Sequence, residues 1–536
     1  MGKHSACHLA ERLQSADRFP HAVERFELIE THISCLLLTG EIAYKIKKAV
    51  DLGFLDFSTL EKRHFYCQEE LRLNRRLAPE LYLEVVGIHG SEDDPSLLGD
   101  GEAVEYAVKM RQFPQAARLD RVTARGELQP THIDRLARDI ATFHQQLPVA
   151  GTDTVFGSAE VLQQQMRQNF EQIRRHCDLT TVIDACRHIQ AWSEHSFSLH
   201  LEEFEQRRHE GWIRECHGDM HLANMVLLNE RPLIFDCIEF SEELRWIDTM
   251  SEAAFLYMDL DYHDQNRLAR RFLNQYLAWS SDYMGLSLLK YYLVYRAMVR
   301  AKVEAIQWQQ NRDDPARAEP HRKALEGHLR LAVTYTRETA APPIIILHGY
   351  SGAGKSRLAE QLAESCGAIH IRSDVERKHL LGLPPDADTR SELEQGAYTE
   401  TRTRQTYQRL LALAYGIIDA GLPVIVDATF LKREQRAAFL RLATVAAAPF
   451  VILDVHARPE TLRERIRRRA AEGRDPSEAG LEVLAHQLQG AEPLAEEEKD
   501  YVVEVDTDQP LEIETITRRI LQTKHVPNRN ALFSAH

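Results

Sequence analysis

No stretch of this sequence approaches the roughly 18 uninterrupted apolar residues of a membrane-spanning helix. The polar N-terminus lacks the apolar core of a secretory signal, and MGKHSA places Ser at position 5, one short of the myristoylation pattern. None of the eight cysteines, at 7, 35, 67, 177, 186, 216, 237 and 366, forms a C-x-x-C pair. Without a signal peptide they read as reduced thiols of a cytoplasmic protein. There is no internal repeat and no low-complexity tract. An excess of positive charge is missing too: the chain carries −15, of which −11 falls on residues 1–339. That acidity argues against broad nucleic-acid or anionic-membrane binding by the N-terminal part. It would suit a cationic substrate, although an acidic face that keeps the protein soluble is the commoner meaning.

What is present is ordinary globular composition, 44% apolar and 27% charged, in 536 residues, too many for one core. Two domains are therefore expected. CLLLTGEIAYKIKK (35–48) reads as a hairpin turning at Thr39-Gly40-Glu41. A helix over about 60–77 follows, ending before Pro79, then strands near 83–88 and 104–110. From Thr131 the pattern is helical to about 147, again from 159, and from 247 to about 309; residues 311–320 read as a loop, and a last helix ends near Arg337. Residues 1–25 read as an extension, 26–110 as a β-rich small lobe, 111–339 as a helical large lobe, and 340–343 as a linker. After it, apolar runs at 344–348, 368–371, 423–426, 450–455 and 501–505 alternate with helices. That is the pattern of a parallel α/β sheet, in a domain over 344–525 with a tail at 526–536.

The strand IIILH runs into Gly349-Tyr350-Ser351-Gly352-Ala353-Gly354-Lys355-Ser356 and then into an amphipathic helix. G-x-x-x-x-G-K-S in that context is a P-loop of a P-loop NTPase. Its backbone amides wrap phosphates, Lys355 reaches the β/γ-phosphates, and Ser356 can ligate Mg²⁺. Three features lean toward a kinase. Asp374, after the second strand, could take the proton from an acceptor hydroxyl, or simply cap a helix. Asp427 ends the strand PVIVD and is placed for the Mg²⁺ shell, or is only a turn residue. Arg465 and Arg469, four apart in RERIRRRAAEGR (463–474), share a helix face and could close over the phosphate, or lie on a solvated basic face.

Upstream, ECHGDMHLAN places His217-Gly218-Asp219 five residues before Asn224, and Asp236 follows in LIFDC. This is a kinase catalytic layout, with Asp219 as base and Asn224 and Asp236 as Mg²⁺ ligands. Lys45, in EIAYK, would neutralise the α/β-phosphates and pair with Glu70 on the next helix. Glu69 is the nearby alternative, and Lys47 lies on the same strand face as Lys45. His217 and His221 have a metal-pair spacing, but the loop already carries a complete kinase assignment. Asp248 reads first as a structural brace.

Around GYSGAGKS, RSDVERK, VDATFLKREQR and RERIRRR, residues 343–508 resemble the zeta-toxin and polynucleotide-kinase branch of P-loop phosphotransferases, with AAA-type ATP binding. The resemblance implies a base at Asp374, substrate contacts near Arg377, and lid arginines at Arg465 and Arg469. Through HGDMHLAN, residues 26–337 resemble the aminoglycoside phosphotransferase and choline kinase family, which implies a bilobal protein-kinase-like α+β fold. The glycine loop G-x-G-x-x-G is missing; the phosphate-facing turn would be 30–35, with Ser34 on a phosphate. No A-P-E segment is evident, which favours a small-molecule acceptor over a protein. The leading expectation is a pair of ATP/Mg²⁺-dependent phosphotransferases, each acting on a hydroxyl of a sugar- or aminoglycoside-like small molecule. The alternatives are a 5′-hydroxyl nucleic-acid kinase in the C-terminal domain, which the acidic balance disfavours, and a P-loop switch regulating the N-terminal kinase.

Overall fold

The computed structural model describes residues 5–51, 55–99, 101–338, 340–387, 400–472 and 480–522. The start MGKH and the tail 526–536 lie outside the described residues. Two compact units divide the chain. The first comprises Met1–Asp139, Phe143–Gln168 and Phe204–Asp259; the second comprises Ile140–Thr142, Asn169–Glu203 and Leu260–His536. Among the described residues no helix is long and apolar enough to cross a membrane.

The first unit opens on an antiparallel sheet of β1 (Glu27–Glu30), β2 (Ser34–Leu38), β3 (Ile42–Lys47), β4 (Tyr82–Gly90), β5 (Pro95–Ser96) and β6 (Glu105–Arg111), in the order β1-β2-β3-β6-β4-β5. The β2–β3 hairpin turns where expected, with Gly40 at φ +110 and the Thr39 hydroxyl donating to the Ile42 carbonyl at 2.8 Å. Alternation along β2 and β3 sends Cys35, Leu37, Tyr44 and Ile46 to one side, where Ala6, Ala10 and Leu13 of the N-terminal segment cover them. On that side Cys7 and Cys35 form a disulfide, which corrects the expectation of reduced thiols throughout. Packing of the Ser5–Arg12 helix on β2 brings their Cα atoms to 5.6 Å, within bridging range. Leu38 and Ala43 face the other side, against Cys67 of the Leu60–Asn74 helix.

The same unit then forms two short antiparallel pairs. β7 (Ile213–Glu215) pairs with β10 (Trp246–Asp248), and β8 (Met225–Leu228) pairs with β9 (Arg231–Ile234). The loop of residues 217–224 hangs between β7 and β8. Asp248 does brace this region: its carboxylate accepts from Arg207 Nε and Nη2 at 2.6 and 2.8 Å, and from the Met250 amide at 2.7 Å.

In the second unit, β11 (Ile344–His348), β12 (Ile369–Arg372), β13 (Val424–Asp427), β14 (Phe450–His456) and β15 (Val502–Asp506) make an all-parallel sheet, ordered β12-β13-β11-β14-β15. The central β11 is Val/Ile/Leu-rich because it is covered on both faces. One correction concerns residues 311–320. A helix starts at Pro315, with the Asp314 carboxylate accepting from the Ala316 amide at 3.1 Å. Proline is well tolerated at that first position because its missing N–H would have had no partner there.

Helix Asn266–Ser280 closes an edge of the parallel sheet. The Asn274 amide donates to the Ala368 carbonyl at 3.1 Å and accepts from the His370 amide at 2.7 Å, doing for β12 what a neighbouring strand would do. Arg270 donates to the carbonyls of Glu364 and Ser365 at 2.9 and 2.6 Å, satisfying the end of the Lys355–Cys366 helix. Asn274→Ala therefore strands two backbone groups. Urea unfolding of the full chain is expected to lose about 1–3 kcal/mol for each group left unpaired. An unchanged transition would contradict the edge-capping role.

Candidate functional site

The N-terminal centre is built around a buried charge cluster. β3 alternation points Lys45 and Lys47 toward the Leu60–Asn74 helix, whose buried face at Cys67, Glu70, Leu73 and Asn74 carries one acid, Glu70. Lys45 Nζ donates to Glu70 at 2.7 Å and to Asp236 at 2.6 Å. Lys47 Nζ donates to Glu70 at 2.6 Å and also to Glu239. Glu69 sits at the rim and binds Arg72 instead. Burial pushes the Glu70 carboxyl up, but the two lysines outweigh it and bring the group down to about 2. The burial of Glu239 holds its carboxyl above the ordinary range.

Asp236 follows β9 at φ +65, a left-handed conformation uncommon for a non-glycine residue. Its amide donates to the Tyr82 hydroxyl at 3.1 Å, and the next amide, of Cys237, donates to Asn74 at 2.9 Å. These bonds hold the strained residue so that its carboxylate meets Lys45. In the 217–224 loop, Asn224 Nδ2 donates to the Asp219 carboxylate at 2.8 Å, and His221 Nε2 lies 3.3 Å from the same group. His217 is spoken for by the Phe235 carbonyl at 2.9 Å, so the two histidines serve the loop separately. Ser34 is buried at the start of β2, its hydroxyl 2.8 Å from that of Thr31.

Two residues of this centre escape sequence reading. Glu239, the second partner of Lys47, has no local pattern around it. Glu252, fully buried on the Thr249–Tyr262 helix, accepts from the amides of His217 at 2.8 Å and Gly218 at 2.6 Å, and pairs with His144 Nε2 at 2.9 Å. It thereby pins the start of the 217–224 loop.

The C-terminal centre begins at the P-loop. Gly349 has φ +143, and a Cβ there would lie 2.2 Å from the Val455 carbonyl oxygen; at Gly352, φ +83, it would lie 2.7 Å from that of Leu462. No other residue fits either position. Gly354 ends the loop at φ +89 and leads into helix Lys355–Cys366. Tyr350 and Ala353 close the loop on themselves, the Ala353 amide donating to the Tyr350 carbonyl at 3.1 Å. Lys355 is buried and donates to the same Tyr350 carbonyl at 2.8 Å; burial lowers its pKa, against the pull of Asp427 and Asp374.

Asp427 ends β13, buried, 3.3 Å from His370 Nε2. Burial pushes its carboxyl up, and His370, Arg372 and Lys355 outweigh this, leaving it at about 2. Asp374 lies in the first turn of the Ser373–His379 helix and accepts from Arg377 at 2.8 Å; the helix cap falls on Arg372 instead. Arg465 braces the loop: it donates to the hydroxyl and carbonyl of Thr507, both at 2.8 Å, and Thr507 donates to the Ala353 carbonyl at 2.7 Å. Lys355, Ser356, Asp374, Asp427, Arg465 and Arg469 all line one cavity of about 2020 Å³. A single drug-sized ligand needs roughly 300–1,000 Å³, so two ligands fit side by side. His370, Thr507 and Gln487, whose side chain bonds the Ser351 amide at 2.9 Å and hydroxyl at 3.0 Å, are further members that sequence reasoning did not find.

Both centres suit Mg²⁺, a hard cation that takes oxygen ligands and keeps several waters. Asn224 with Asp236, and Ser356 with Asp427, offer amide, carboxylate and hydroxyl oxygens of that kind.

The pH response of the first unit follows from Glu252. Burial raises its carboxyl, and its bonds to His144 and the loop amides more than reverse this, to about 2 from an ordinary 4.5. A depressed folded pKa means stabilisation that is complete above 4.5 and lost as pH falls toward 2, on the order of 3 kcal/mol. Unfolding midpoints measured from pH 6 to pH 2.5 are expected to fall steeply below pH 4.5, and Glu252→Gln to flatten that fall. An equal slope in the variant would contradict it.

Residues 344–494 match the family model described as "AAA domain". Uncharacterized protein Rv2004c of Mycobacterium tuberculosis is 31% identical over 462 residues, covering 86% of this chain and 90% of that protein. The shikimate kinase of Neisseria gonorrhoeae is 33% identical over 125 residues, 23% of this chain and 64% of that enzyme. A solved choline/ethanolamine kinase family protein from Mesorhizobium loti aligns with a TM-score of 0.36 at 11% identity, over 61% of this chain and 98% of that one. The chain belongs to the family of the mycobacterial protein Rv2004c, and its C-terminal part carries the match to the AAA domain.

Proposed function

We propose that the chain is a bifunctional ATP- and Mg²⁺-dependent phosphotransferase, with a kinase domain over 26–339 and a P-loop kinase domain over 344–525. Each passes the γ-phosphate of ATP to a hydroxyl of a small molecule. The observation that carries this reading is the convergence of a carboxylate base, oxygen ligands for Mg²⁺ and a buried lysine in each centre. In the first these are Asp219, Asn224 with Asp236, and Lys45. In the second they are Asp374, Ser356 with Asp427, and Lys355.

The chemistry assigned to each group follows from its surroundings. Asp219, oriented by Asn224, accepts the proton of the acceptor hydroxyl as the oxygen attacks. Lys45, fixed by Glu70, offers its charge to the α/β-phosphates. In the second centre Asp374 is the base, while Lys355, Arg469 and the loop amides stabilise charge on the transferring phosphoryl group. Bound Mg²⁺ supplies charge neutralisation on the phosphate oxygens. Arg465 acts by keeping Gly352, Ala353 and Thr507 in register.

Product formation from ATP, followed by mass spectrometry across a panel of hydroxylated metabolites, tests the assignment. Asp219→Asn and Asp374→Asn are each expected to lower turnover about 10²–10⁴-fold, on different acceptors. Lys355→Ala should remove only the products that Asp374→Asn removes. If no product depended on Asp374 while Lys355→Ala changed the activity of the other centre, the P-loop domain would be a nucleotide switch instead.

A further inference from the structure

Among the described residues, the cavity above the P-loop is lined by more cations than a bound nucleotide engages. We infer that the acceptor phosphorylated there is a small hydroxylated oxyanion, a carboxylate or a phosphate ester, and neither a neutral sugar nor an aminoglycoside-like cation. The inference rests on the kinase reading of this same centre.

Among the described residues, ten lysines and arginines and five aspartates and glutamates line the cavity, in a chain whose net charge is −15. Lys355, Arg465, Arg468 and Arg469 belong to the P-loop and the helix over it, where the triphosphate binds. Six cations remain. Arg372 and Arg377 flank the proposed base Asp374 in sequence, and Arg377 is bonded to it at 2.8 Å. Arg404 comes from helix Glu400–Asp419 and Arg441 from helix Arg433–Val445, so the positive wall is assembled from separate elements. Among the described residues neither Arg404 nor Arg441 has a carboxylate within ion-pair distance.

Arg372 on that side has Glu360 and Asp427 each at 3.9 Å. Asp374 is committed to Arg377, and Asp427 faces His370 and Lys355. A guanidinium presents a planar fork that matches a carboxylate or a phosphate in two parallel hydrogen bonds. Two such forks left without carboxylates, in a cavity with room for a second ligand, select for an oxyanion. A polycationic acceptor would face like charges across the same wall, which costs binding energy. Both oxyanion types share this chemistry, and the wall itself favours neither.

The test uses the full chain carrying Asp219→Asn, so that the N-terminal centre is silent, with ATP and Mg²⁺. Acceptors are offered as matched pairs that differ in charge: gluconate against sorbitol, glyceric acid against glycerol, and glucose 6-phosphate against glucose. A 5′-hydroxyl oligonucleotide is a separate arm. Products that disappear with Lys355→Ala are expected only from the charged partners, and the carboxylate and phosphate arms separate the two oxyanions. Arg404→Gln combined with Arg441→Gln should raise the acceptor KM tenfold or more and leave the KM for ATP within twofold. Equal or better kcat/KM for a neutral partner would overturn the inference while leaving the kinase reading standing, as would an unchanged acceptor KM in the double variant. Transfer to the oligonucleotide alone would reassign the wall to a polynucleotide. If no compound is phosphorylated in a Lys355-dependent way, the kinase reading falls and this inference with it.

Discussion

The polyphosphate that the proposed function requires is best positioned by charges and dipoles fixed before it arrives, and both centres hold such groups. At the P-loop the backbone supplies them. Gly349 and Gly352 let the chain pass so close to the Val455 and Leu462 carbonyls that a methyl group has no space. The Thr507–Arg465 pair then holds the loop from outside. In the first unit side chains supply them. Lys45 and Lys47 are buried, and two buried glutamates keep them charged and in place. Removing one member of such a buried set leaves an unpaired charge behind, a cost of about 3–5 kcal/mol. Fixing charge in this way is expensive in stability and sensible only where a charged ligand is to be met.

The two centres share a further device: the residue proposed to touch the metal is steadied by one that does not. Asp427 is met by His370, whose own amide is held by Asn274. Asp236 is kept in a left-handed conformation by Tyr82, and its neighbour by Asn74. Glu252 does the same for the loop bearing Asp219, through two backbone amides. Such supporting contacts set the orientation of carboxylates to a fraction of an ångström, on which phosphoryl transfer depends.

Much of this was legible in the sequence where the information is local. The P-loop, the HGD loop and the five parallel strands each depend on a few consecutive residues, and the structure places those strands within a residue or two of the expected bounds. The Lys45–Glu70 pairing was legible as well, because strand alternation and helix periodicity together leave few acids on the buried face. What was not legible depends on contacts between residues distant in the chain. Glu239 and Glu252 lie in unremarkable surroundings, and their partners are about 190 and 35 positions away. Cys7 and Cys35 meet only because an N-terminal helix packs on β2, and Asn274 reveals its role only once β12 is seen to lack a neighbour on that side. The start of a helix at Pro315 was hidden by a composition typical of loops.

The central claim is that one chain carries two separate nucleotide-binding, phosphoryl-transferring centres. Calorimetric titration of the full chain with a non-hydrolysable ATP analogue and Mg²⁺ addresses it most directly. Two sites per chain are expected, with one remaining after Lys355→Ala and the other remaining after Lys45→Met. A single site in the unsubstituted protein, or loss of both sites through either substitution alone, would contradict the account.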